Sequence, residues 1–205
     1  MKIQVDPQTT GRARAFEMWM SSPMPMVTLF KTFDVSRLLR YCKRKGYKFN
    51  MALCWCLCKA ASQVEEFYIL PEGDKLFKYD RLAVNVVVDT ADGSISLCDV
   101  PYNEDIAKFN KDYLELTGKV RRECTDSLLG DDYAIVGTST LLDTELDGII
   151  NQYSGRWNNP FIAWGRYRRG WFRTELKISM QFHHSQMDGA HAARYLELLQ
   201  KTMAI

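Results

Sequence analysis

Leu176-Lys177-Ile178-Ser179-Met180-Gln181-Phe182-His183-His184-Ser185-Gln186-Met187-Asp188-Gly189-Ala190-His191 contains every histidine of the chain. Its first half alternates apolar and polar residues with period two, the mark of a half-buried strand. Continued parity places His184 on the face of Leu176, Ile178, Met180 and Phe182, and His183 on the face of Lys177, Ser179 and Gln181. The strand is then expected to deliver His184 inward at its end, ahead of a turn at Asp188-Gly189. Histidine is the side chain whose ordinary pKa suits proton transfer near neutral pH, so His184 is the candidate general base. A core histidine pair beside a turn aspartate is the competing reading. Beyond the turn, a final helix is expected from Gly189 or Ala190 to about Met203.

Working outward, the residues before this stretch supply further strands and helices. Gly11 to Trp19 reads as a short helical arm, stopped by Ser21-Ser22-Pro23-Met24-Pro25. A strand follows at Met26 to Phe33. A helix then runs from Asp34 or Ser36, good N-cap types, to Lys45, with Gly46 as its stop. Asn50 is expected to cap a long helix through Val64, whose Leu53, Leu57, Ala60, Ala61 and Val64 share a face. Strands are predicted at Lys75 to Tyr79 and Leu82 to Asp89, the latter apolar enough to be covered on both faces. Asp92-Gly93 turns it into a hairpin with Ser94 to Val100. A helix from Asn103 to about Glu123 comes next, then strands at Tyr133 to Leu141, Phe161 to Tyr167 and Phe172 to Phe182. Helices interleaved with mostly antiparallel strands argue an α+β fold, a large mostly antiparallel mixed sheet covered by helices.

Composition narrows the class. A chain of 205 residues, 46% hydrophobic and 25% charged, fits a single domain over residues 1–205. A formal net charge of +2 gives no warrant for a nucleic-acid partner, and the short basic clusters Lys43-Arg44-Lys45 and Arg166, Arg168, Arg169 read as solvated faces. Met1 to Thr10 lacks the apolar run of a secretory signal, and no stretch has the length of a membrane span, so a cytoplasmic location is expected. The six cysteines, at 42, 54, 56, 58, 98 and 124, contain no CxxC pair. They read as small core residues in a reducing compartment rather than a metal or disulfide set.

The pattern His183-His184-Ser185-Gln186-Met187-Asp188-Gly189 resembles the His-His-x-x-x-Asp-Gly signature of the chloramphenicol acetyltransferase family. The resemblance runs from about Arg12 to Leu199. Arg12-Ala13-Arg14-Ala15-Phe16-Glu17 is similar to the family's Arg-x-x-x-Phe-Glu, and Pro101 to Phe109 to its Pro-Tyr-x-x-Asp-Ile-x-x-Phe. Asn159-Pro160-Phe161-Ile162 resembles its Pro-x-Ile segment, and His191, Ala193 and Arg194 fit its His-x-Ala-Arg.

That resemblance implies a homotrimer with active sites between subunits, with acetyl-coenzyme A as co-substrate and no permanently bound cofactor or metal. His184 would take a proton from the hydroxyl of a small-molecule acceptor as it attacks the thioester. The family's oxyanion donor is a serine on the facing subunit, in an Ile-Ser-x-x-Pro-Trp strand. Here the matching stretch is Ile135 to Asp143, with Ser139 as first choice and Thr138 as reserve, and without the Pro-Trp. Asp188 would pair with Arg12 to fix the turn, Gly189 would let it bend, and His183 would be structural.

The acceptor pocket departs from the family at Met18, Trp19 and Ala163, which stay apolar but remove hydroxyl partners. Arg166 stands where relatives often carry a lysine near a coenzyme A phosphate; a solvated strand face is its other reading. A dihydrolipoyl acyltransferase core, whose motif resembles Asp-His-Arg-x-x-Asp-Gly, is a second enzyme class of this fold. A fold-retaining trimeric binding protein with weak or no turnover, and an acyltransferase with another acceptor, are the remaining alternatives.

Overall fold

The computed structural model describes residues 1–153 and 155–205. A short strand β1 (Lys2–Val5) opens the chain, followed by the helical arm α1 (Ala13–Trp19). Strand β2 (Met26–Asp34) leads into helices α2 (Ser36–Lys45) and α3 (Phe49–Ala61), then strands β3 (Ile69–Glu72) and β4 (Lys75–Tyr79). The hairpin β5 (Leu82–Asp89) and β6 (Ile95–Pro101) precedes the long helix α4 (Ile106–Glu123). Strands β7 (Ala134–Leu141), β8 (Phe161–Gly165), β9 (Arg168–Arg169) and β10 (Thr174–His183) follow, and helix α5 (Gly189–Thr202) closes the fold.

Seven strands form the main sheet, in the order β2-β10-β8-β7-β5-β6, with β9 paired to β10. Only β5–β7 and β7–β8 are parallel; the other pairings are antiparallel. This is the α+β class that the alternating patterns predict. A separate antiparallel sheet, β1-β4-β3, gathers the N-terminal strand with the hairpin after α3.

Helices occupy one face of the main sheet. Leu176, Ile178, Met180 and Phe182 of β10, Val84 and Val86 of β5, and Ile162 and Trp164 of β8 point into this core. Opposite them α3 is buried all round, from Met51 to Cys58, as expected of a helix apolar on every side. Helix α5 buries only a stripe, Ala192, Tyr195, Leu196 and Leu199, at the i, i+3, i+4, i+7 spacing of an amphipathic helix. Cys54, Cys56 and Cys58 sit in this core as free thiols, pushed well above the ordinary range by burial.

The second face is covered unevenly. Over β10 and β8 lies the segment 143–151: Ile149 N donates to Ser179 Oγ at 2.8 Å, and Gln181 Nε2 to the Asn151 carbonyl at 2.8 Å. Gly165 permits this approach, since a Cβ there would meet the Thr144 carbonyl at 2.7 Å. Over β5, β6 and the end of β7 the face is open, and Val87, Ile95 and Leu141 are exposed. The Val-rich strand is thus covered on one face within the chain and not on both, because every helix that packs on it lies on the same side.

Element ends also differ from expectation in places. Helix α3 starts at Phe49 behind an extended Lys48, so Asn50 lies inside its first turn and does not cap it, and the helix stops at Ala61, short of Val64. Helix α4 starts three residues late, because Asp105 takes the cap by accepting from Ala107 N at 2.8 Å. The strand predicted from Phe172 begins at Thr174, since Trp171 and Phe172 stand fully exposed at the hairpin tip. Strands β1, β3 and β9 have no counterpart in the sequence reading.

Candidate active site

Strand β10 ends at His183, and His184 falls in the turn that follows. Its amide donates to the Pro25 carbonyl at 2.8 Å, and the Gln186 and Met187 amides return to the His183 carbonyl at 2.9 and 3.3 Å. Asp188 then caps α5, its Oδ1 accepting from Ala190 N at 3.0 Å and His191 N at 3.4 Å. The turn is therefore held by hydrogen bonds at both ends, from the backbone at the strand side and from the Asp188 carboxylate at the helix side.

Parity holds for His183, but burial runs opposite to the expectation that His184 is the inward one of the pair. The two faces of β10 near its end are both covered, so neither is simply inward. His183 lies on the side of Ser179 and Gln181 and is the more buried, 1% exposed, whereas the His184 side chain is only partly buried. His183 Nδ1 meets Ser185 Oγ at 2.6 Å and accepts from Ser185 N at 3.2 Å. Loss of water around the ring, aided by the neighbouring His184, pushes His183 down to about 4. It is a neutral, hydrogen-bonded core group near pH 7.

The N-terminal arm reaches the turn from both ends of α1. Arg12, 5% exposed, spreads its guanidinium over three acceptors. Nε donates to the Ser185 carbonyl at 3.1 Å, Nη2 to the His184 carbonyl at 2.9 Å, and Nη1 to Asp188 Oδ2 at 3.0 Å. Such a planar fork suits arginine and not lysine. Burial disfavours the Asp188 charge, but Arg12, His191 and the capping amides outweigh it and hold the carboxyl below its ordinary value. At the far end of α1, Trp19 lies flat on the His184 ring, with centroids 4.5 Å apart and planes 4° from parallel. His184 Nδ1 is buried and has no hydrogen-bond partner among the described residues.

The remaining candidates fall elsewhere. Cross-strand register places Ser139 level with Ala163 on β8 and Ser179 on β10. Ser179 precedes His183 by four residues, about 13 Å along a strand. Thr138 faces the helices instead, 2% exposed, its Oγ1 donating to the Asn85 carbonyl at 2.8 Å. Ser139 and Thr138 border a small cleft with Asn50, Tyr113, Thr140 and Trp164. Trp164 Nε1 is buried there without a partner among the described residues. Arg166 is exposed beyond the end of β8, its amide donating to the Thr144 carbonyl at 2.7 Å.

Within one chain the structure therefore brings Arg12, Trp19, His184, Asp188 and Gly189 together, with Met18 next to Trp19 and half exposed. It sets Ser139, Ala163 and Arg166 apart from them. Glu66 and Gln186 were missed by the sequence reading: Gln186 Nε2 donates to the Glu66 carbonyl at 3.0 Å, and Glu66 Oε1 lies 3.1 Å from His191 Nε2. Nothing in the sequence around Glu66 announces that contact. No helix among the described residues is long and apolar enough to cross a membrane.

Comparison with known proteins gives a consistent result. The family model described as chloramphenicol acetyltransferase matches residues 2–200. Chloramphenicol acetyltransferase 2 of Escherichia coli is 23% identical over 203 residues, covering 96% of this chain and 94% of the relative. Chloramphenicol acetyltransferase 3 of Escherichia coli is 22% identical, covering 85% and 84%. A solved chloramphenicol acetyltransferase superposes with a TM-score of 0.83 at 16% identity, over 99% of this chain and 100% of that one. The dihydrolipoamide acetyltransferase of Azotobacter vinelandii shares the fold more distantly, with a TM-score of 0.67 at 17% identity, over 96% of this chain and 86% of that one.

Proposed function

The chain belongs to the chloramphenicol acetyltransferase family, and we propose that it moves an acetyl group from acetyl-coenzyme A directly to a hydroxyl of chloramphenicol or a related hydroxylated small molecule. The observation that carries the reading is the way Arg12 and Trp19 fix His184. Arg12 ties down the His184 and Ser185 carbonyls, and Trp19 covers one face of the ring. With Nδ1 sealed inside the protein, Nε2 is the nitrogen left to meet an acceptor.

In this mechanism Nε2 takes the proton of the acceptor hydroxyl while its oxygen bonds to the thioester carbonyl carbon. The carbonyl oxygen becomes an oxyanion, for which Ser139 is the proposed donor. Collapse breaks the carbon–sulfur bond, and the thiolate of coenzyme A recovers the proton from the imidazolium. The products are an acetyl ester and free coenzyme A. Asp188 accepts no proton; its ion pair with Arg12 positions the turn.

Two groups of candidates too far apart in one chain motivate the second part of the reading. Ser139, Ala163 and Arg166 of one subunit would complete the site at His184 and Trp19 of another, in a homotrimer. The open apolar face at Val87, Ile95 and Leu141 supports such an assembly, because exposed apolar surface of this kind marks an interaction site. The cleft beside Ser139, with the unpartnered Trp164 N–H, offers a donor to the thioester arm, and Arg166 a cation to a coenzyme A phosphate. A cytoplasmic location goes with this co-substrate.

Thiol release from acetyl-coenzyme A, measured over a panel of hydroxylated acceptors that includes chloramphenicol, tests the reading. Turnover lost in His184→Ala supports it. Acceptor binding without thiol release favours the trimeric binding protein, for which the departure around Ser139 speaks. Light scattering at the 23.7 kDa of a single subunit would remove the shared site. Met18, Trp19 and Ala163 offer contact but no hydroxyl, so chloramphenicol should be turned over at least tenfold less efficiently than by relatives that keep those partners, since a missing hydrogen bond costs about 1–3 kcal/mol.

A further inference from the structure

We infer that His191 and Glu66 form an outer clamp that positions the His184 turn, making His191 a positioning residue for the acyl transfer; the inference rests on the reading of His184 as the base. Three ties converge on the turn. Arg12 holds its carbonyls from the N-terminal arm. Gln186, wholly buried in the middle of the turn, anchors it to the Glu66 backbone. His191 holds the third side, and its geometry is specific.

His191 sits at the third position of α5, where a capping box places Glu or Gln to accept from the cap amide. Here the imidazole does so, with Asp188 N donating to Nδ1 at 3.3 Å. Nδ1 also lies 3.1 Å from Asp188 Oδ1, and on the other side of the ring Nε2 lies 3.1 Å from Glu66 Oε1. The ring thus bridges Asp188 and Glu66, one nitrogen to each. A glutamine could reproduce the cap but not also reach Glu66. The cap amide and the carboxylate that grips Arg12 belong to the same residue, Asp188. A change at His191 therefore passes through Asp188 to Arg12, and from Arg12 to the His184 carbonyl.

The chain Glu66–His191–Asp188–Arg12–His184 spans the short turn before β3, helix α5 and the N-terminal arm. None of the first three residues faces the acceptor oxygen in the proposed mechanism. Their effect is on where Nε2 points. A small misplacement of a catalytic group lowers the turnover rate far more than it weakens substrate binding. His191→Ala should thus reduce kcat about tenfold or more, with the KM for acetyl-coenzyme A nearly unchanged.

The test uses the full-length protein and two readouts. Acetyl transfer is measured for His191→Ala, His191→Gln and Glu66→Gln, alone and in the Asp188→Ala background. In parallel, diethyl pyrocarbonate acylates accessible imidazole nitrogen, and fragment mass spectrometry reads the rate at His184 itself, whether or not the protein turns over. The clamp predicts a several-fold change in His184 acylation in His191→Ala, substantial recovery in His191→Gln, and a His191 effect on kcat that vanishes once Asp188 is alanine. Should His191→Ala fold poorly, Glu66→Gln, which weakens the clamp from its outer end, must show the same changes in smaller degree. An unaltered His184 acylation rate in folded variants, or a His191 effect that persists in full without Asp188, overturns the clamp. Absence of turnover in the wild type would overturn the acyltransfer reading while the acylation rates still decide the clamp.

Discussion

His183 gives the fold a pH dependence whose size follows from its surroundings. The ring is buried against Ser185 and edge-on to Tyr153, and desolvation together with His184 takes it from an ordinary value of 6.5 to about 4. Below 6.5 the unfolded chain therefore binds a proton that the folded chain refuses until about 4. The unfolded state holds more protons across this window, so stability rises with pH through it and falls as the solution is acidified. A tenfold difference in proton affinity is worth about 1.4 kcal/mol, so the full window corresponds to a loss of about 3 kcal/mol at its acid end. Comparison with a variant that lacks only this ring isolates its contribution. His183→Asn keeps an acceptor near the Nδ1 position for Ser185 and removes the titration. Unfolding free energies from urea titrations of both proteins, at one protein concentration, should diverge between pH 6.5 and 4 by about 3 kcal/mol. Parallel curves would show that His183 takes up its proton without penalty and that the burial argument fails.

His184→Ala should abolish acetyl transfer and leave the urea midpoint near that of the wild type; an active His184→Ala beside a folded but inactive His183→Ala would exchange the roles of the two histidines. Arg12→Lys keeps the charge but not the fork that holds two carbonyls and a carboxylate, so it should lower stability by about 1–3 kcal/mol and reduce kcat; wild-type values in both would show that charge alone suffices. Ser139→Ala should lower the maximal rate by about 10²–10³ with little effect on the KM for acetyl-coenzyme A, since an oxyanion donor acts in the transition state. An unchanged rate would pass that role to Thr138 or to backbone amides.

The sequence disclosed elements wherever one period ran long enough to be unambiguous. Strand β10, the Val-rich β5 and the helices α2 to α5 all appear close to where alternation, caps and stops place them. It failed where the deciding contact is remote. Strand β1 has four residues of mixed polarity, and only its pairing with β4 makes it a strand. The entrance to α3 depends on Phe49, which packs edge-on against Tyr167 with ring centroids 5.3 Å apart, a partner more than a hundred residues away. Coverage of β5 failed for a related reason: a run of valines states how apolar a strand is, but not which of its neighbours belong to the same chain.

At the site, the motif located the turn but could not orient it. Period-two parity assumes that the strand continues, and β10 ends at His183, so the rule expires one residue before the side chain it was asked to place. What orients His184 is supplied from elsewhere. Trp19 arrives from an arm more than 160 residues upstream and fixes the plane of the ring; Arg12, from the other end of that arm, fixes the backbone beneath it. The Asp–Arg pair is only half sheltered, since the Asp188 side chain keeps 41% of its exposure, so its Coulomb energy alone would be modest. The two backbone carbonyls that share the same guanidinium give Arg12 its weight, because a buried carbonyl left without a donor costs about 1–3 kcal/mol. A histidine doublet followed by Asp-Gly is thus a sign of chemistry chiefly when an arginine lies within reach, and in this fold that reach is set by a seven-residue helix at the opposite end of the chain.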